Sequence, residues 1–242
     1  MVKKEFKKPK KGIQRFHWDL RYTLPNPIDL NKSTFYNPWK AKDEGTLVTP
    51  GTYTVEMAMF ENGEMTTLVN PISFNVTGLE NTVMPAKNRA AKVAFQKQVS
   101  QIEADLKISQ KIIEETNTKL KHIKSAIKRS ELPYAELLKT VFNIEAKLRA
   151  IDQSLYGDPI KNKLDISQPK SPAARIRKIS YEQKYSTSAP TKTHQDSYDI
   201  AKDEITVIKQ KIETIFNTDV KQLEDKLIKA GAPYTPGRGY KD

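Results

Sequence analysis

The spacing of apolar positions divides the chain into two parts. Residues 12–77 follow a period of two. In GIQRFHWDLRY (12–22), Phe16, Trp18, Leu20 and Tyr22 alternate with polar residues, the pattern of a half-buried strand. TPGTYTVEMAMF (49–60) opens on a Pro50-Gly51 turn and then places Tyr53, Val55, Met57 and Met59 on one face. Asn62-Gly63 signals a hairpin, and a returning strand runs through Thr66, Leu68, Ile72, Phe74 and Val76. The connection 23–48, with Pro25, Pro27, Pro38 and Gly45, is long enough to expect a functional or packed loop. About four strands are legible where an immunoglobulin-like sandwich needs roughly seven. This half therefore reads as incomplete on its N-terminal side.

From about Asn88 the period lengthens. Phe95, Val99, Ile102, Leu106, Ser109, Ile113, Thr116, Leu120, Ile123 and Ile127 are spaced by fours and threes, a heptad seam on one long helix. Leu132-Pro133 interrupts it. A second helix carries Leu137, Val141, Ile144, Leu148, Ile151 and Leu155 and stops at Gly157-Asp158-Pro159. A short helix is expected at 173–185 with Ile176, Ile179 and Tyr185 on its apolar side, and STSAPT (186–191) is a loop. A last helix, about 193–230, carries Ile205, Ile208, Ile212 and Ile215, then Phe216, Val220, Leu223 and Leu227. Its stripe slips by one residue near Asn217, which drift of a straight helix from a strict heptad explains. Gly231 caps it and Pro233 prevents continuation.

The expected class is α+β: a partial Ig-like antiparallel β-sandwich followed by a long antiparallel α-helical bundle. The expected organisation is a basic N-terminal tail or strand remnant (1–11), the β domain (12–77), a linker (78–87), the bundle (88–230) and an extended tail (231–242).

Composition narrows the function classes. The net charge is +12, and MVKKEFKKPKK at the start holds six lysines against one glutamate. Along the helices lysine alternates with acidic residues, the pattern of a solvated face rather than of a nucleic-acid surface. The absence of cysteine removes disulfides and thiolate metal sites. No apolar run approaches a membrane span. Residues 1–11 lack the apolar stretch of a signal peptide, so an export signal would lie outside this chain.

Catalytic constellations are not evident. His17, His122 and His194 fall in different elements, without metal-ligand spacing. His194 and Asp196 could contribute to a Ser-His-Asp arrangement, but nothing marks a nucleophile elbow. The pairs Glu114-Glu115 and Asp203-Glu204 lie among lysines on helices, which suits a salt-bridged face better than a glycosidase acid pair. We expect no catalytic, cofactor-binding or metal-binding residue. Trp18, Phe35, Tyr36 and Trp39 are the candidate contacts for a partner or a sugar, since their rings offer large faces, with a polar handle on all but Phe35.

GIQRFHWDLRY together with TLVTPGTYTVEM resembles the first strand and hairpin of an Ig-like domain such as that of flagellar hook-capping proteins. NTVMPAKN, ARIRKISYEQKYSTSAPTKTHQDSYDIAKDEI and the closing AGAPYTPGR resemble the tail of large bacterial proteins with sortilin-type or BNR-repeat β-propellers, often named glycosyl hydrolases. That resemblance spans Val2 to Arg238. It implies a non-catalytic C-terminal accessory or interaction module of a secreted propeller protein, located outside the cytoplasm, in the periplasm or at the surface of a bacterium. The implied partners are the upstream propeller and Ig-like strands, or a second copy through an open sheet edge. The alternative it leaves is a lid that adds substrate contacts to an exo-sialidase-like propeller. No residue here inherits the propeller's chemistry.

Overall fold

The computed structural model describes residues 2–6, 11–30, 38, 43–79, 86–130 and 134–238. The chain is α+β: a two-stranded antiparallel sheet and a helical bundle. It divides into two compact units. One comprises Met1–Leu24, Thr34–Lys97 and Tyr185–Pro190; the other comprises Pro25–Ser33, Gln98–Lys184 and Thr191–Asp242.

The first unit is built on a hairpin of β1 (Gly51–Glu61) and β2 (Glu64–Val76). Its tip is Asn62-Gly63, both at positive φ (53° and 87°), as the favoured hairpin turns require. Tyr53 lies opposite Phe74, Val55 opposite Ile72 and Met57 opposite Val69. Register shifts follow on either side of Met57, after which Met59 faces Thr66.

The segment 12–22, expected to be a strand, has no ladder. It makes one antiparallel bridge, Arg21 with Leu47, closed by Tyr22 N–H to Thr46 O and Val48 N–H to Leu20 O, both at 2.9 Å. Leu20 takes φ +56°, which ends the strict alternation that a strand needs. Among the described residues the sheet therefore has two strands rather than the four read from the sequence. Arg21 holds the crossing further, donating to Gly45 O at 2.8 Å and pairing with Glu44 at 3.2 Å. Gly45 is required there, because a Cβ would overlap the Tyr22 carbonyl.

The second unit is the bundle. α1 (Arg89–Lys128) starts on Asn88, whose Oδ1 accepts from Ala91 N–H. It belongs to the bundle from Gln98 onward, its first turns to Lys97 belonging to the first unit. All ten expected seam residues of α1 are buried, from Phe95 to Ile127. α2 (Tyr134–Tyr156) buries its six expected residues and ends at Gly157, at φ +89°. Leu132-Pro133, expected to break the helix, lies outside the described residues. A short α3 (Pro159–Lys163) follows, then α4 (Pro172–Tyr185), which buries Ile176 and Ile179 but leaves Tyr185 exposed, against expectation.

The last rod is α5 (Lys192–Thr214), a π-helical turn (Ile215–Val220) and α6 (Lys221–Lys229). Its buried positions are Ala201, Ile205, Ile208, Ile212, Ile215, Val220, Leu223 and Leu227. Between Ile215 and Val220 the spacing is five. The slip near Asn217 is thus one extra residue taken up by a π-turn rather than heptad drift, and Phe216 points outward at 43% exposure. Ion pairs fix the helix directions. Lys209 pairs with Asp105 and Lys119 with Glu224, so the first and last rods run parallel. Lys124 with Glu145, and Tyr156 with Leu106 O and Gln110, set α2 antiparallel to α1.

Gly231 closes α6 with a 6→1 bond from Ala232 N–H to Leu227 O at 3.0 Å. Beyond it, the tail packs back: Thr235 is buried, Gly237 lies against Lys119, and Arg238 donates to Ala232 O and Pro233 O.

Candidate functional site

The hairpin gives its residues two unlike faces. Cross-strand partners share a side, so Tyr53, Val55, Met57 and Met59 stand with Phe74, Ile72, Val69 and Thr66. The opposite side carries Thr52, Thr54, Ser73 and Asn75 near the base, with Thr52 donating to Asn75 Oδ1 at 2.9 Å, and Phe60 opposite Met65, 70% and 65% exposed, at the tip. The first face is apolar and only its base is covered. Trp18 stands edge-on to Tyr53 at 5.6 Å and to Phe74 at 6.2 Å, and its indole N–H reaches Arg21 O at 3.1 Å. Tyr53 donates to Thr49 O at 2.7 Å, which ties the aromatic trio to the start of β1. Toward the tip, Val55, Met57, Met59, Val69 and Ile72 are 40% to 57% exposed. Both strands are also edges of the sheet.

Of the four candidate contact residues, Trp18 is thus half-buried as the anchor of this trio. Phe35, Tyr36 and Trp39 lie outside the described residues. Beside the trio, burial and then the hydrogen bond with Tyr53 push the Tyr22 phenol above its ordinary value, and Lys97 Nζ sits 3.5 Å over the Tyr22 ring.

A second cluster forms where α4 meets α5. Thr191 caps α5 and accepts from His194 N–H at 3.2 Å, while the His194 ring returns Nδ1 to Thr191 N–H at 3.4 Å. This is a capping box with histidine in the place usually held by glutamate. Nδ1 also faces Gln183 Nε2 at 3.0 Å, and Nε2 lies 2.7 Å from Glu182 Oε2. Two N–H donors aimed at Nδ1 assign the proton to Nε2, which donates to the carboxylate. That hydrogen bond, ahead of Lys178, holds the Glu182 carboxyl below the usual carboxylate range. Asp196, the residue whose spacing suggested a triad with His194, is bound instead to Lys192 at 2.9 Å. The cluster does a structural job: it starts a helix. Sequence spacing missed it because the partners, Glu182 and Gln183, come from another helix.

Elsewhere the chemistry is sparse. Among the described residues no three His, Asp or Glu side chains converge as a metal site would require. A groove of about 420 Å³ beside the π-turn is lined by Thr140, Asn143, Lys147, Asp219, Gln222 and Lys226. Its one carboxylate, Asp219, is paired with Lys147 at 2.6 Å. Burial raises the Tyr156 phenol, and burial lowers the Lys92 ammonium, whose Nζ donates to Ser186 O. No described helix is long and apolar enough to cross a membrane.

Comparison with protein families, with characterised proteins and with solved structures finds no match to this chain.

Proposed function

We propose that this chain is a non-catalytic interaction module whose hairpin face is completed by another polypeptide. The observation that supports it is the open apolar face: five aliphatic and thioether side chains, about half exposed, continue a face whose base is closed by Trp18, Tyr53 and Phe74. A two-stranded hairpin alone is marginal in water, and a covering layer would remove that weakness. In this reading the hairpin belongs to a partial Ig-like domain, and the partner is the upstream part of a secreted bacterial β-propeller protein named as a glycosyl hydrolase. The chain then works outside the cytoplasm as a C-terminal accessory piece, and any hydrolysis belongs to the propeller.

A photo-crosslinking residue placed at Met57, on the apolar face, tests this in cells, with Thr54 on the polar face as control. The reading expects an adduct to a propeller-bearing polypeptide from Met57 and none from Thr54. Equal adducts from both, or none from Met57, would refute it. Turnover of an aryl glycoside by the purified chain, lost on a point substitution within it, would refute the non-catalytic part separately.

A further inference from the structure

The geometry points to a lipid-docking element in the excursion between α2 and α4, one that inserts three aliphatic side chains among anionic headgroups. Residues 158–170 leave the bundle as a compact loop closed on itself. Asp158 caps α3, its Oδ1 accepting from Ile160 N–H at 2.8 Å. Gln168 closes the base: its Oε1 accepts from Asp158 N–H at 3.1 Å, and its Nε2 donates to Asn162 Oδ1 at 2.5 Å. α3 then ends in a Schellman arrangement. Ile166 N–H bonds Lys161 O at 2.9 Å and Asp165 N–H bonds Asn162 O at 3.4 Å, with Asp165 at φ +52°. A compact, self-bonded loop of this kind is ordered without a partner, and such loops often carry function.

What the loop displays is unusual for one whose backbone is so well satisfied. Ile160 and Leu164 share one face of α3 and are each 64% exposed, while Ile166, brought back by the 6→1 bond, is 50% exposed. No aliphatic side chain of α3 is turned into the bundle; α3 has no buried residue at all.

The charge around these three residues selects the occupant. From 158 to 177 there are five cations (Lys161, Lys163, Lys170, Arg175 and Arg177) against Asp158 and Asp165, a net of +3, while Lys178 is paired with Glu182. Asp158 is already engaged at the N-terminus of α3. On α4, Tyr181 is 67% exposed one turn beyond Arg177 and Lys178, and tyrosine suits a headgroup layer, where its ring is half wet. Exposed aliphatics interleaved with Lys161 and Lys163, in a segment of net positive charge, match an anionic membrane surface. There the apolar tips enter the acyl boundary and the cations meet phosphate. An acidic partner protein would match the charge but would need a pocket for the exposed tips, and a soluble polyanion would not use the aliphatics.

Vesicle binding by the full chain tests this. Phosphatidylcholine vesicles holding roughly one-third phosphatidylglycerol are expected to bind the chain at least about tenfold better than phosphatidylcholine alone, with the preference lost in high salt. The combined variant Ile160→Ser, Leu164→Ser, Ile166→Ser, whose sites are all exposed, is expected to bind about tenfold more weakly or worse with unchanged helicity. Lys161→Glu with Lys163→Glu is expected to remove the anionic preference. Because the chain has no cysteine, Leu164→Cys accepts a single environment-sensitive dye, and its emission is expected to shift to the blue on anionic vesicles, whereas a dye at Lys121→Cys is not. Serine variants that bind like the parent, or a dye at 164 that does not shift, would overturn the proposal and leave charge-only adsorption. Failure to bind anionic vesicles would overturn it in favour of a protein partner. Heparin binding as tight as vesicle binding and insensitive to the serine changes would overturn it in favour of a soluble polyanion.

Discussion

Deleting Asn217 should leave the bundle folded with nearly its full stability, whereas deleting Asp203 should destroy it. Both residues are exposed on the same rod. The buried positions run 201, 205, 208, 212, 215, 220, 223 and 227, so the spacing alternates fours and threes except for one five, across the π-turn. Removing Asn217 turns that five into a four. The rod can then continue as regular α-helix with Val220, Leu223 and Leu227 still facing the core. The loss is one exposed side chain, and the expected change is within about 1 kcal/mol of zero in either direction. Removing Asp203 shortens a spacing of four to three and rotates everything beyond it by about 100° until a compensating irregularity is reached. The nearest place where the chain can recover phase is the π-turn. Ile205, Ile208, Ile212 and Ile215 would leave the core, and Thr206, Lys209, Glu213 and Phe216 would take their places. At about 1.5–3 kcal/mol for each buried aliphatic, the loss is about 6–12 kcal/mol before any charge is desolvated. That is of the order of the whole stability of a domain. Urea unfolding followed by circular dichroism at the helical band measures both. Similar midpoints for the two deletions, or collapse of the Asn217 deletion, would refute the idea that the π-turn stores a single surplus residue.

Ile113→Asp should cost several kcal/mol, because it puts an unpaired carboxylate in the buried seam, while Lys121→Asp on the exposed side should change the urea midpoint little. His194→Ala should cost about 1 kcal/mol as the capping box is lost, read as a lower melting temperature. The Glu182 carboxyl, held low by His194, contributes stability that is present above the ordinary carboxylate value near ~4.3 and disappears as pH falls through its lower folded value. Glu182→Gln should therefore lower stability in the neutral region and leave it nearly unchanged at acid pH, which flattens the acid limb of the stability profile. Gly45→Ala should break the Arg21–Leu47 bridge and shift the Trp18 emission to the red in a Trp39→Phe background, with the helical signal intact.

The helical half was legible because each rod buries one stripe, and a seam can be read from spacing alone: every expected seam position from Phe95 to Ile127 and from Leu137 to Leu155 is buried. The exceptions have local causes. Phe216 and Tyr185 fit the stripe in sequence but fall on the outside, Phe216 because the seam uses Ile215 beside it and resumes at Val220. Lys119 lies off the seam by spacing, yet it is mostly covered, between Glu224 and the returning tail at Gly237. The tail's position depends on contacts more than a hundred residues away, which spacing does not encode. The β half was less legible. Residues 12–22 alternate like a strand, but a strand is defined by its neighbour, and Leu20 turns left-handed where a ladder would have to continue. The apolar side of the hairpin was legible at Tyr53 and Val55, which face Phe74 and Ile72; beyond the register shifts at Met57, Met59 faces Thr66, and the alternation could not say that the side stays open. The His194 cluster was illegible for the same reason as the tail: its parts lie on separate helices.

The central claim is that the hairpin face waits for another polypeptide, and hydrogen exchange of the purified chain at low concentration tests it most directly. The amides of β1 and β2 that face away from their partner strand should exchange like those of an unprotected chain, and those bonded between the two strands should be protected far less than the amides of α1 from Val99 to Ile127. Hairpin amides protected as strongly as α1, independent of concentration, would show that the sheet is complete within the chain itself and would contradict the account.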